Sequence, residues 1–596
     1  MKQFFKFMFA SCLGSGLAMI ASFFIIILIV TSMISSLSKN DSNVQVNGNS
    51  VLVIDFSRPV YDREVNDLQT IFSPSGINSS TNIGLTELLQ VIQRAKKDKN
   101  ISAVCLNMSI FQANGIATAQ EIREALLDFK SSGKKVFAYG DQYDQKSYYV
   151  ASIADKIVVN PAGMIMLSGM GGEVMFLKDL VNKLDIDVDL IRPKSNAFKS
   201  AGEQFTMNHM SDSNKLQTKQ YIQSIWNVIS KQMCESRHID EVKFNNIVSN
   251  LQGVMPKDAL KNKIVDILCY KSDFKDSVAN YVVRKNNLKS TKNVNFISYT
   301  KYRQSIADLF KAQDKNIAIV YAYGDVAQGK GTDLSIGSQT VCKAIERAAS
   351  NDKVKAIVLR VNSPGGDAIA SELITNEVIK AKRKKPVIIS MGDMAASAGY
   401  EISSNASYIV ASPTTITGSI GVFGVLPNFN RALKNKLGIT FDTVKTHANS
   451  NPLSVTTPMT PQAKALMQNN VENFYMSFVN KVAKGRNKTS QYISSIAKGR
   501  VWSGVDGKRL GLVDDFGGLQ KAIQIAAKMT NLQSYGIVEY PKVQSVFEQI
   551  LTDKETDMKI KSLTKELGKP YSFFLTLKHL SDMQGVQMRM DYIINL

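Results

Sequence analysis

Val387-Ile-Ile-Ser-Met-Gly-Asp-Met-Ala-Ala-Ser-Ala-Gly-Tyr400 begins as a short apolar strand, passes through a turn of small residues, and leads into a helix. A run of four or so apolar residues closed by glycine is typical of a strand buried in a parallel sheet. Moving outward, Ile317-Ala-Ile-Val320, Ala356-Ile-Val-Leu359 and Tyr408-Ile-Val-Ala411 have the same character, with amphipathic stretches between them. Strands alternating with helices predict an α/β fold. The series also occurs about 250 residues earlier, as Val51-Leu-Val-Ile54, Ala103-Val-Cys-Leu106, Val136-Phe-Ala-Tyr139 and Lys156-Ile-Val-Val159. Landmarks keep step: Gly140-Asp141 with Gly392-Asp393, Tyr148 with Tyr400, and Asn160-Pro161 with Ser412-Pro413, all at an offset of 252. Lys183-Leu184 with Lys436-Leu437 and Ile264-Val-Asp266 with Leu512-Val-Asp514 continue the order at 253 and 248. Five ordered matches mean duplication. The body therefore reads as two copies of one α/β domain, 51–310 and 311–540, followed by a lysine-rich extension over 541–596. Within that extension, Ser572-Phe-Phe-Leu-Thr-Leu-Lys-His-Leu580 offers an apolar segment to a partner subunit or to the core.

Composition agrees with a globular body. The 596 residues are 44% apolar and 21% charged, which excludes wholesale disorder and a polytopic membrane protein. The net charge of +21 is spread as single lysines on helical stretches such as Arg94-Ala-Lys-Lys-Asp-Lys99. Its densest cluster, Lys380-Ala-Lys-Arg-Lys-Lys385, reads as a helix C-terminus, where the dipole favours cations. No basic-aromatic stripe suggests nucleic acid. Five cysteines without CxxC spacing and four histidines without HExxH or HxH spacing exclude a zinc motif, and no cofactor or metal is expected.

The N-terminus reads differently. No charge falls between Lys6 and Lys39, and Leu13 to Ile34 is apolar enough to span a bilayer. The run is long for a cleaved signal peptide, and Thr31-Ser-Met-Ile-Ser-Ser36 is a poor cleavage site. The expectation is a short cytoplasmic segment over 1–10, a transmembrane anchor over 11–34, and a Ser/Asn-rich linker over 35–50. Lys2 and Lys6 place the N-terminus inside, so the body lies beyond the membrane.

Two glycine-rich turns mark the second copy. Asn362-Ser-Pro-Gly-Gly366 follows a strand and precedes a helix, a place where backbone N–H groups can hold an oxyanion. In Met391–Tyr400, Ser397 sits among alanines and glycine that leave room for a carbonyl, although the pattern is not GxSxG. A helix starting at Ser397 supplies its own N–H, or its neighbour's, to the oxyanion. A serine needs a base. With no histidine in a partner motif, a neutral lysine is the next candidate. The SxxK pairs Ser131/Lys134, Ser272/Lys275 and Ser495/Lys498 lack SDN or KTG companions and carry no weight.

These turns, with Thr417-Gly-Ser-Ile-Gly-Val422, Gly499-Arg-Val-Trp-Ser-Gly504 and Gly511-Leu-Val-Asp514, resemble the signal peptide peptidase A (protease IV) family in its long two-repeat form. The resemblance spans nearly the whole chain. It implies two Clp protease/crotonase-like repeats, a Ser/Lys dyad, and a serine endopeptidase acting on cleaved signal peptides. Ser397 falls on the family's nucleophile. Lys199, in Phe198-Lys-Ser-Ala-Gly-Glu-Gln-Phe205, falls on its general base. Ser419 matches the serine that orients the lysine, and the Gly366 N–H an oxyanion donor. Ala398, where the family usually has glycine, is a second donor. The resemblance also implies a homotetramer on the outer, periplasmic face of a bacterial cytoplasmic membrane, with peptides as substrates and lipid around the anchor. A crotonase-like acyl-CoA enzyme and a catalytically inactive membrane scaffold are the alternatives. Retention of both Ser397 and Lys199 speaks against the second.

Overall fold

The computed structural model describes residues 44–64, 82–307, 312–332, 335–542 and 586–590, with Gly14, Met19, Ala21 and Ser22 as isolated helical positions. Apart from those four positions, the anchor expected over 11–34, the segments beside it up to residue 43, and most of the extension beyond 542 lie outside the described residues. Among the described residues, no helix is long and apolar enough to cross a membrane.

Each repeat is built on its own twisted sheet. In the first, the strands are β1 (Ser50–Asp55), β2 (Ile101–Asn107), β3 (Lys135–Tyr143) and β4 (Lys156–Ile165). They continue with β5 (Asp187–Ile191), β6 (Ile267–Leu268) and β7 (Asn295–Ser298). All but β5 form one parallel sheet in the order β6-β4-β3-β2-β1-β7. The second repeat begins with β8 (Asn316–Tyr323), β9 (Asp325–Ala327), β10 (Val354–Ser363), β11 (Gly365–Asp367) and β12 (Val387–Ala396). It continues with β13 (Tyr408–Ala411), β14 (Ile416–Gly418), β15 (Phe423–Asn428), β16 (Val501–Ser503) and β17 (Gly536–Tyr540). Its main sheet runs β16-β14-β12-β10-β8-β17, with β13 also on β12. The central strands of both sheets are buried along nearly their whole length, which is why they read as unbroken apolar runs.

The repeat is visible in hydrogen bonds as well as sequence. The Tyr148 hydroxyl donates to the Ile264 carbonyl at 2.8 Å, and Tyr400 donates to Leu512 at 2.9 Å. The Ile157 N–H donates to Asp266, and the Ile409 N–H to Asp514, both at 2.8 Å. Each aspartate is paired with an arginine, Arg237 or Arg486.

Two of the links between the copies stand out. First, β5 leaves its own repeat and pairs antiparallel with β15, from Ile191 opposite Gly424 to Asp187 opposite Asn428. Second, Arg360 on β10 is fully buried between carboxylates of the other repeat, 2.8 Å from Asp62 and 2.7 Å from Glu121. Its guanidinium also donates to the Ser390 hydroxyl at 2.9 Å, and Asp62 accepts from Asn362. Burial pushes Glu121 up to about 7 even though Arg360 pulls it down.

Candidate active site

Ser397 sits between the end of β12 and the helix Ala398–Ser404, at φ 56° and ψ −117°. An L-residue held there stores about 1–3 kcal/mol, so its surroundings must fix it. Its N–H donates to the Gly418 carbonyl at 2.8 Å, and its carbonyl accepts from Glu401 N–H at 2.9 Å. Both backbone groups are thereby held while the side chain stays clear of the helix end: no capping bond forms. The Oγ lies 3.4 Å from the Gly421 carbonyl, a weak donor contact, and 2.9 Å from Lys199 Nζ.

Lys199 reaches this point because β5 pairs with β15. The chain leaving β5 at Ile191 runs straight into the loop that carries it. Arg192 donates to the Lys199 carbonyl at 2.6 Å and lies 3.7 Å from the buried Glu203. Phe198 N–H donates to Lys498 O at 3.0 Å. The ammonium end lies 3.0 Å from Ser419 Oγ and 3.4 Å from its carbonyl, with the Phe423 ring centroid 6.0 Å away. Lys199 is 1% exposed and Ser397 fully buried. Ser419 is itself at φ 50°, and its N–H donates to the Arg500 carbonyl. Behind the lysine is a cavity of about 20 Å³ lined by Lys199, Asn214, Gln217, Thr218, Ser419 and Arg589, room for about one water. The described histidines stand elsewhere: His209 and His447 are exposed, and His238 ends the helix Asp212–Arg237.

A family model described as Peptidase family S49 matches the chain twice, over residues 128–283 and 379–533. The chain belongs to peptidase family S49. Protease 4 of Salmonella typhi is 33% identical over 544 residues, 89% of this chain and 86% of that protein. Protease 4 of Haemophilus influenzae is 30% identical over 578 residues, covering 94% and 93%. Serine protease SPPA, chloroplastic, of Arabidopsis thaliana is 28% identical over 529 residues, covering 86% and 75%. The chain is thus a serine protease of the long two-repeat form, each S49 match falling on one α/β copy.

Within this S49 chain the structure brings Ser397, Lys199 and Ser419 together and places Gly366 on the neighbouring strand β11. One expectation narrows. Ser397 N–H is spent on Gly418 O, so only the neighbouring Ala398 N–H remains to serve an oxyanion there. Asn362–Gly366 follows a strand and precedes a helix as expected, with Gly366 itself inside the short β11 and the helix Ala368–Lys384 capped by Asp367. Sequence reasoning missed Arg192, and it quoted Gly499 without a role. A Cβ at Gly499 would stand 2.5 Å from Lys199 Cβ and 2.7 Å from its Cα, so this glycine lets two backbones meet behind the lysine.

Proposed function

We propose that the chain is an endopeptidase in which Ser397 is the nucleophile and Lys199 the general base, acting on signal peptides and other apolar peptides left in a membrane. The 2.9 Å contact between Lys199 Nζ and Ser397 Oγ carries this reading. Burial disfavours an ammonium, which makes a neutral lysine accessible as a base. Ser419 Oγ, 3.0 Å from Nζ, holds the amine beside Ser397 Oγ.

In the first step Ser397 Oγ attacks the scissile carbonyl carbon while Nζ takes the hydroxyl proton. The carbonyl oxygen becomes an oxyanion, received by the Gly366 and Ala398 N–H groups. Such donors act in a site closed to water, where each contributes about 2.7–4 kcal/mol to the transition state. The C–N bond then breaks, and Nζ returns the proton to the departing amine. Water attacks the acyl-serine by the same route, giving the acid and regenerating the hydroxyl. The apolar run over 11–34 would anchor the chain beside its substrates, with the body on the outer face of the cytoplasmic membrane and copies assembled as a tetramer.

The test is hydrolysis of apolar peptides by the full chain, with fluorophosphonate labelling of Ser397. Ser397→Ala should keep its fold and lose both signals, since one oxygen is removed from a turn lined by alanines. Lys199→Ala and Lys199→Arg should both inactivate, because a guanidinium stays protonated. Turnover persisting in folded Ser397→Ala would refute the assignment.

A further inference from the structure

A buried carboxylate one helical turn past Ser397 has no part in the Ser397/Lys199 steps. Glu401 lies in the helix Ala398–Ser404 and is fully buried. Its Oε2 accepts from the Ser371 hydroxyl, and its Oε1 lies 3.0 Å from Lys481 Nζ. Lys481, in the helix Pro461–Gly485, also pairs with the half-exposed Glu372. Ser371 and Glu372 both belong to the helix Ala368–Lys384, so three helices meet at this carboxylate. A buried ion pair contributes little stability beyond what apolar side chains of the same volume would. Stability alone therefore does not account for it.

Its place in the turn does. The peptide unit between Ser397 and Ala398 has two ends with different tasks. Its N–H is the Ala398 donor available to an oxyanion, and its oxygen, the Ser397 carbonyl, accepts from Glu401 N–H at 2.9 Å. The unit is planar and stiff, so fixing the oxygen aims the N–H. Ser371 Oγ also lies 3.3 Å from the carbonyl of Ala398, the next peptide unit along. Glu401 thus holds the oxyanion peptide with its own N–H while its carboxylate is tied to two neighbouring helices.

We propose that Glu401 is a positioning residue for the oxyanion donor: its carboxylate, held by Lys481 and Ser371, fixes the first turn of the helix so that Ala398 N–H meets the scissile oxygen as it becomes an anion. The proposal deepens the Ser397/Lys199 reading and rests on it. Among the described residues, Lys481 and Glu372 are the charged groups that face Glu401. On the other elements packed around this helix, Arg360 and Asp393 point to the first repeat, Asp367 caps its own helix, and Arg486 is held by Asp514. Burial pushes Glu401 up to about 7 against the pull of the Ser371 hydroxyl, and pushes Lys481 down to about 8. Their contact favours the charged form of each, and Glu372 adds to that for the lysine. When Glu401 takes up a proton, Lys481 is left to Glu372 and the turn loses its anchor. The positioning is therefore full above the Glu401 pKa and is lost as pH falls through it.

The experiment measures kcat and KM of the full chain, wild type and Glu401→Gln, on an apolar peptide between pH 8 and 5.5. Glutamine has the shape of the protonated side chain, and Lys199 is present in both proteins. The ratio of the two kcat values therefore cancels the base and reports the carboxylate. Removing an oxyanion donor costs about 100- to 1000-fold, and a donor misaimed rather than removed should cost about tenfold. The ratio of wild type to variant should be about tenfold at pH 8 and fall to about one at pH 5.5. KM should stay within about twofold, since the contact is made only in the transition state. A ratio that stays near ten at every pH would make Glu401 a matter of shape alone and overturn the proposal. So would a ratio near one throughout, or a loss carried by KM. If Glu401→Gln does not fold, the double variant Glu401→Met, Lys481→Met takes its place as reference, because it exchanges the buried pair for apolar chains of similar length. The kcat of wild type relative to this variant should again fall about tenfold between pH 8 and 5.5, and a flat ratio refutes the role. Fluorophosphonate separates the two readings. Labelled Ser397 with a flat ratio sinks only the role of Glu401, whereas no labelling of Ser397 in the wild type sinks the dyad reading beneath it.

Discussion

Gly499→Ala isolates the placement of the base from its chemistry. Gly499 sits at φ 78°, and a Cβ there would be 2.5 Å from Lys199 Cβ and 2.7 Å from its Cα and N, where ordinary contact begins at 3.4 Å. One side must therefore yield by about 0.9 Å, the difference between 3.4 and 2.5 Å. Neither side can do so silently. Gly499 N–H is bonded to Ile420 O at 2.8 Å, Lys498 O accepts from Phe198 N–H, and Arg500 O accepts from Ser419 N–H. Moving the glycine drags Ser419, and moving the lysine opens the 2.9 Å contact to Ser397. A misplacement near 1 Å lowers a rate by about 100-fold, and the alanine in a left-handed conformation adds about 1–2 kcal/mol of destabilisation.

The control is Gly438→Ala. Gly438 is also left-handed, at φ 69°, but a Cβ there meets nothing within 4 Å. It carries the same backbone penalty without the collision. In urea unfolding Gly438→Ala should lose only the backbone penalty and Gly499→Ala more, while only Gly499→Ala loses about 100-fold in kcat on an apolar peptide. Labelling of Ser397 should slow in parallel, since Oγ activation depends on the displaced amine. A Gly499→Ala rate within about threefold of wild type would mean that the contact does not set the position of Lys199.

Arg360→Met should destabilise the fold by about 3–5 kcal/mol at pH 8, because Asp62 and Glu121 are left buried without their cation. Glu121 already stands at about 7, above its unfolded value, so its contribution is full at low pH and lost as pH rises through 7. Without Arg360 it moves further up. The deficit measured by urea unfolding should therefore shrink between pH 8 and 5, and a pH-independent deficit would place the loss elsewhere. Ser397→Ala chains mixed with Lys199→Ala chains and refolded into shared oligomers should recover no activity, since both groups meet within one chain. Recovery near the statistical fraction in proven mixed oligomers would instead assign the pair to neighbouring copies.

The strands and the duplication were legible because burial on both faces leaves a local trace: an apolar run such as Ala356-Ile-Val-Leu359 needs no knowledge of its neighbours. The turn at Ser397 was legible for a similar reason, since its run of alanines and glycine marks a tight strand–helix turn in the sequence alone. Lys199 could be named only by resemblance. Nothing in Phe198-Lys-Ser-Ala says that the preceding strand will desert its own sheet, because an antiparallel pairing between Ile191 and Gly424 has no signature in either segment. The same holds for the strand Val586–Arg589, four residues whose partners lie at 365–367 and 423–424. Arg360 looked like one of many basic residues, and only its position between two carboxylates of the other repeat separates it from the solvated lysines. Ser397 N–H was offered to the oxyanion because the turn was read alone. In the sheet, β14 claims that donor.

The two copies differ at the turn that carries Ser397. In the first repeat the helix Gln145–Ala151 is capped by Asp144, whose carboxylate accepts from Ser147 N–H. In the second, Ser397, opposite Gln145 at the offset of 252, directly precedes the helix Ala398–Ser404, with φ turned positive and no side-chain capping bond. The two arrangements exclude each other. A capping oxygen is committed to its own helix, which stabilises it by about 1 kcal/mol, and cannot point at a substrate. A nucleophilic oxygen must forgo that bond and accept a strained backbone. The first copy has the cap at this turn, the second does not, and β5 carries Lys199 from the first copy to the uncapped turn of the second. At the corresponding place in the second repeat, 252 residues after Lys199, Asn451 lies in an exposed turn at φ 57° with no reactive partner. In the proposed mechanism, the pairing of β5 with β15 is therefore the contact on which catalysis depends, because it brings Lys199 to the turn that carries Ser397.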